Sequence, residues 1–179
     1  MRKVLYIMGQ LSDEDVDWFA SAGRRRKVKA GEMLITQGKA IDSMYILLEG
    51  AMIVSLKGIG DVAKLATGEV IGEMSLVDSR PPSASVRADG DCFMLDLPRE
   101  AIRDKLEEDI GFAARFYRAI ATFLSDRLRG TVQRLGYHAD KGLDEETEMD
   151  GELDMNVLDN IHVAGARFDR MLKKLMGTG

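Results

Sequence analysis

The chain has 179 residues with 25 basic and 30 acidic side chains, a formal net charge of −5. That length bounds one domain of ordinary size with an appendage, and the acidic balance disfavours a nucleic-acid partner, which needs a basic face. The single cysteine, Cys92, excludes a disulfide framework within one chain and suits a reducing compartment.

The N-terminal apolar run, residues 4–8, is cut at once by Gly9 and Gln10. It is too short for a signal peptide, and no run approaches the roughly 18 apolar residues of a membrane span. A soluble cytoplasmic chain with no membrane partner is expected. Ser12 with Asp15 three residues on reads as a capping box. Val16, Phe19 and Ala20 then make the apolar face of a short helix ending near Gly23, and Trp18 on that helix is expected to pack over the strands that follow. The basic run RRRKVK, residues 24–29, reads as the polar side of a connector, because the rest of the chain is acidic.

From Ala30 to Leu97 the pattern is all-β. Short apolar runs at 33–36, 44–48, 51–56, 62–66, 84–88 and 92–97 are separated by glycine or charged turns, the rhythm of a sandwich or barrel-like roll. One piece breaks it: residues 73–77 suit a short helix. Residues 99–108 read as a helix. A longer one follows over 109–137, with apolar positions Ala113, Phe116, Tyr117, Ile120, Ala121, Leu124, Leu128, Val132 and Leu135 recurring at three and four residues. Residues 140–154 hold eight acids against one lysine and read as a solvated, mobile linker. The tail carries Val157, Ile161, Ala164, Phe168, Met171 and Leu175, an a/d stripe too short for a free coiled coil, so it is expected to pack on its own domain or on a partner subunit. The expected organisation is an N-terminal helix and β-roll over 1–98, two helices over 99–137, a linker over 138–154 and an amphipathic tail helix over 155–179.

The chemistry concentrates between Gly68 and Ala88. Gly68 and Gly72 allow tight turns and close approach to a ligand. The helix after Gly72 offers free N–H groups to an anion, and Glu73 in its first turn can accept a sugar hydroxyl. Ser83 and Ser85 alternate along the next strand and can face one cavity. Anion, sugar and apolar wall describe a nucleotide pocket; a plain glycine turn between strands is the alternative that spacing alone leaves open.

The stretch GEVIGEMSL, then PSASVRA, resembles the phosphate-binding cassette of the cyclic nucleotide-binding domain family, seen in catabolite-activator-like regulators and protein kinase A regulatory subunits. Residues 34–50, LITQGKAIDSMYILLEG, resemble the family's other signature. The resemblance covers about residues 11–137. It implies a mainly β fold with flanking helices: a cyclic-nucleotide-binding β-roll (double-stranded β-helix, jelly-roll-like), two C-terminal helices and an extra tail helix. It further implies that a cyclic phosphate, cyclic AMP or another cyclic nucleotide, sits on the main-chain amides of Gly72, Glu73, Met74 and Ser75. Glu73 holds the ribose 2′-hydroxyl, and Ser83 and Ala84 complete the phosphate nest.

The sequence departs from the family in several places, among them Lys39 and Ile41, which replace the usual small or polar residues of the first signature. Pro82 stands where the cassette has an arginine, and can neither donate nor carry charge; Arg80, two residues earlier, is the candidate substitute. Arg127 and Leu128 stand on the long helix where catabolite activators place small hydroxyl residues, so Arg127 is a candidate to stack on the base. After the long helix, the remaining residues hold no basic recognition helix, so direct DNA binding is not expected. A resident cofactor and a metal are not expected, and neither is catalysis: His138 and His162 lie off the strands, and no Gly-x-Ser-x-Gly elbow occurs. Two readings remain. One is a stand-alone regulatory module that senses a cyclic nucleotide or related phosphorylated ligand and signals to a protein partner through helix rearrangement. The other is a ligand-free interaction module with a degenerate cassette. In either, a homodimer through the long helix is expected, with Phe116, Ile120 and Leu124 as seam candidates.

Overall fold

The computed structural model describes residues 4–137 and 155–176, with side chains described over 4–132 and 162–175. The acidic linker expected over 138–154 lies outside the described residues.

The N-terminal apolar run folds as a helix, α1 (Val4–Gln10). It is two turns long, too short for periodicity to announce it, yet Val4, Ile7 and Met8 lie at i, i+3 and i+4 and are wholly buried. α2 (Asp13–Ala22) starts as expected. The Ser12 hydroxyl accepts from Asp15 N at 3.2 Å, and the Asp15 carboxylate accepts from Ser12 N at 2.7 Å.

The basic run is a strand, not a connector. β1 (Arg24–Val28) pairs antiparallel with β8 (Cys92–Pro98), from Arg24↔Asp96 to Val28↔Cys92. Its cations find partners that local composition does not show. Arg25 stacks over the Phe93 ring at 4.0 Å, Lys27 reaches Asp91 at 2.7 Å, and Arg26 reaches Glu32 at 3.1 Å.

The other strands are β2 (Met33–Ile35), β3 (Ser43–Glu49), β4 (Ala51–Leu56), β5 (Gly60–Ala66), β6 (Val70–Ile71) and β7 (Ser85–Ala88). They form two antiparallel four-stranded sheets, β1-β8-β3-β6 and β2-β7-β4-β5. This is the expected β-roll. Strand alternation splits β3 between two cores. Tyr45 and Leu47 face the other sheet and join Val28, Ile35, Met52, Val86 and Met94 inside the roll. Met44, Ile46 and Leu48 face outward and would be in water without the helices.

Those helices are α3 (Glu73–Asp78), α4 (Arg99–Glu108), α5 (Ile110–Tyr137) and α6 (Met155–Met176). α5 lays Phe112, Phe116, Ala119, Ile120 and Phe123 over the outer face of the first sheet, together with α1, α2 and the buried Ala164, Phe168 and Met171 of α6. Trp18 packs against the cluster on the outer face of the first sheet, and its ring meets Phe112 edge-on at 5.2 Å. α6 packs on α1 and α2 of its own chain. Arg167 donates to Asp13 at 2.7 Å and to Met8 O at 3.1 Å, while Arg170 at 2.6 Å and Lys174 at 3.1 Å share Asp17.

This packing corrects the expected seam. Phe116 and Ile120 are inside the protomer, 0% and 2% exposed. The outward stripe is Tyr117, Ala121, Leu128 and Val132, with Leu124 at its margin. One residue is about 100° of helix rotation, and α1 and α2 pack on the Phe116 side. Among the described residues no helix is long and apolar enough to cross a membrane.

Candidate functional site

The site is the corner where β6 turns into α3. The two residues of β6 lead to Gly72 at φ +88°, left-handed backbone that disfavours side chains. A Cβ there would also come within 2.8 Å of Ile41 Cδ1 and 3.0 Å of Ser43 O. Glycine is therefore required twice over, and the next residue, Glu73, is directed inward to open α3. The corner is tied to the rest of the fold at Gly68: its N–H bonds Leu47 O at 2.7 Å, and its carbonyl accepts from Val4 N of α1 at 2.6 Å.

Glu73 is 1% exposed, a burial a carboxylate tolerates only with strong partners. α5 supplies one. Arg127 Nη1 lies 2.5 Å from Glu73 Oε1. Its Nη2 donates to Val70 O at 3.3 Å and lies 3.7 Å from Glu69 Oε2, and the guanidinium sits 4.7 Å over the Phe123 ring. The preceding residue, Asp126, accepts from the Tyr6 hydroxyl of α1 at 3.3 Å. Burial first, and then the Asp126 charge, raise the Tyr6 pKa above its ordinary value, so Tyr6 keeps its proton as donor.

The structure brings Gly72, Glu73, Ser75 and Arg127 together. Ser75 is buried, whereas the Met74 side chain is half-exposed on the outside of α3. Arg80 points into solvent at 85% side-chain exposure, with Asp78 3.9 Å away, and nothing holds it toward Glu73. Ser83 and Ala84 precede β7 in the second sheet. Pro82, unable to donate, accepts through its carbonyl from Gly38 N at 2.9 Å. The Ser85 hydroxyl accepts from Gln37 N at 3.0 Å, which anchors the loop before β3 to β7. A small surface recess lies beside Gly72 and Ser75, lined by Ile41, Ser43 and Arg99.

Sequence reading placed Arg127 near the site but not against Glu73, 54 residues away. It missed Glu69, the Val70 carbonyl and Tyr6 altogether, because no local spacing marks a contact made by a helix laid across a sheet.

Residues 25–109 match the family model of the cyclic nucleotide-binding domain. The chain contains a cyclic nucleotide-binding domain. The match covers the strands from β1 to β8, and the corner just described lies inside it. Over 118 residues the chain is 29% identical to an NTE family protein of Mycobacterium bovis, 66% of this chain but 20% of that protein. It is also 29% identical over 118 residues to a cAMP-dependent protein kinase regulatory subunit of Blastocladiella emersonii, covering 64% of this chain and 29% of that protein. The chain thus spans between a fifth and a third of these relatives. Among solved structures, the cyclic nucleotide-binding domain of Methylobacillus flagellatus superposes with a TM-score of 0.67 at 25% identity, covering 80% of this chain and 85% of that one. The catabolite activator protein of Thermus thermophilus superposes at 0.63 with 21% identity, covering 97% of this chain and 100% of that one, a likeness of fold.

Proposed function

We propose that this chain is a cytoplasmic, non-catalytic regulatory module whose cyclic nucleotide-binding domain takes a cyclic nucleotide, or a related phosphorylated ligand, at the β6–α3 corner. The observation that carries this reading is the buried Glu73 carboxylate, held between the corner and α5. In this reading the main-chain amides of Gly72, Glu73, Met74 and Ser75 meet the phosphate, Glu73 accepts a ribose hydroxyl, and Ser83, Ala84 and Ser85 close the far side. Arg80 is exposed, stands just before two prolines, and is the candidate substitute cation for the phosphate. The missing cassette arginine costs about one to three orders of magnitude in affinity, the worth of one or two charge-assisted hydrogen bonds. Because α5 touches the corner directly, filling it repositions α5, and α5 carries the signal to a protein partner.

Calorimetry with cyclic AMP, cyclic GMP and cyclic di-GMP tests this. Wild type is expected to bind at least one, and Glu73→Gln to bind it at least tenfold more weakly, the loss of a charged hydroxyl acceptor. No heat from any of them at millimolar ligand removes the reading.

Pro82 and the exposed stripe on α5 favour a second reading, a module that associates through its helices. Tyr117, Ala121, Leu124, Leu128 and Val132 follow one another at 4, 3, 4 and 4 residues, and Leu128 and Val132 are 64% and 58% exposed. That spacing suits a helix-to-helix seam with a second copy. Sedimentation is expected to show a dimer that Leu128→Glu dissociates; a wild-type monomer at high concentration removes the seam.

A further inference from the structure

We infer that Arg127 is an internal competitor for the ligand at Glu73, so that the corner is occupied from within the chain and opens only when this turn of α5 lets go. The inference rests on the reading of the corner as a ligand site. Arg127 bonds the same buried carboxylate that a sugar hydroxyl must reach, and does so at 2.5 Å with formal charge on both sides. A sugar hydroxyl can offer the same carboxylate a hydrogen bond but no opposite charge. A ligand therefore displaces the guanidinium only with help from its other contacts, and binding is coupled to release of α5. Glu69 Oε2, 3.7 Å from Arg127 Nη2, is a second anion beside the same guanidinium. The same turn is also tied to α1 by the Tyr6–Asp126 hydrogen bond, and α1 in turn bonds Gly68 O. Opening at Arg127 therefore loosens a bond on each side of the corner.

The test compares cyclic-nucleotide affinity of wild type, Arg127→Gln and Tyr6→Phe, with thermal melts to establish that each is folded. A latch lowers apparent affinity by the fraction of molecules that are open. Arg127→Gln is expected to bind about tenfold more tightly than wild type, and Tyr6→Phe about twofold more tightly, although Tyr6 touches neither Glu73 nor Arg127. Should Arg127→Gln fail to fold, Tyr6→Phe carries the test alone. If wild type binds and both variants bind equally or more weakly, Arg127 is a ligand contact or a bystander; the inference falls while the ligand site stands. If neither wild type nor Arg127→Gln binds at millimolar ligand, the ligand site and the latch both fall.

Discussion

Truncating Phe116 to alanine is expected to lower the free energy of unfolding by about 3–5 kcal/mol, the range for emptying a fully buried aromatic site. Phe116 is 0% exposed. Its ring stacks on Phe112 at 5.5 Å and on Phe19 at 6.3 Å, so one side chain joins α5 to α2. It shares its cluster with Met44 and Ile46 of β3 and with Phe168 and Met171 of α6. The neighbours are fixed on a sheet and three helices, and they cannot collapse into the space together. Urea unfolding is the measurement, read as a lower midpoint at unchanged slope. The control is Arg118→Ala, exposed on the same helix and outside the seam, expected within about 0.5 kcal/mol of wild type. A Phe116→Ala loss below about 1 kcal/mol would show that this face of α5 does not seat against the roll, and with it the corrected seam would fail.

Breaking the Asp15–Arg115 pair is the second large effect. The Asp15 side chain is 3% exposed and accepts from Arg115 Nε at 2.6 Å and Nη2 at 2.9 Å, joining α2 to α5. Arg115→Leu leaves a buried carboxylate with only its capping partners. The expected cost is about 2–3 kcal/mol at pH 7, below the range for a fully buried pair because the Arg115 end is 38% exposed and screened. The pH dependence follows in sign. Burial is the largest single influence on Asp15 and raises its pKa. The Arg115 hydrogen bond, the Ser12 main-chain bond and the Arg115 charge together outweigh it and hold the pKa below the ordinary value. A depressed carboxylate contributes its full stability above its unfolded pKa and loses it as the pH falls through the folded one. The difference between wild type and Arg115→Leu is therefore expected to narrow as the solution is acidified below about pH 4. A gap that stays constant from pH 7 to about pH 3 would mean the pair contributes nothing electrostatic.

Particular elements show what was legible. The runs at 44–48 and 51–56 became β3 and β4 nearly as bounded, because alternation and intervening turns are properties of a few adjacent residues. The Ser12 capping box was readable for the same reason. The basic run resisted: β1 is a strand because β8 lies beside it, and Asp91 and Phe93 arrive from more than sixty residues along the chain. α1 resisted because seven residues carry too little periodicity. In the site, the glycine corner and Glu73 were visible as a contiguous motif. The partner of Glu73 was not.

The chain alone determined the strands, the capping box and the turn at Gly72, since these depend on backbone preference and on neighbours within a few residues. Tertiary structure decided which side of α5 is buried, where α6 lies and which cation meets Glu73. A helix turns about 100° per residue, so Phe116 and Tyr117 exchange core and solvent on a small rotation. That rotation is set by the outer face of β3 and by α1, elements that lie far before α5 in the chain.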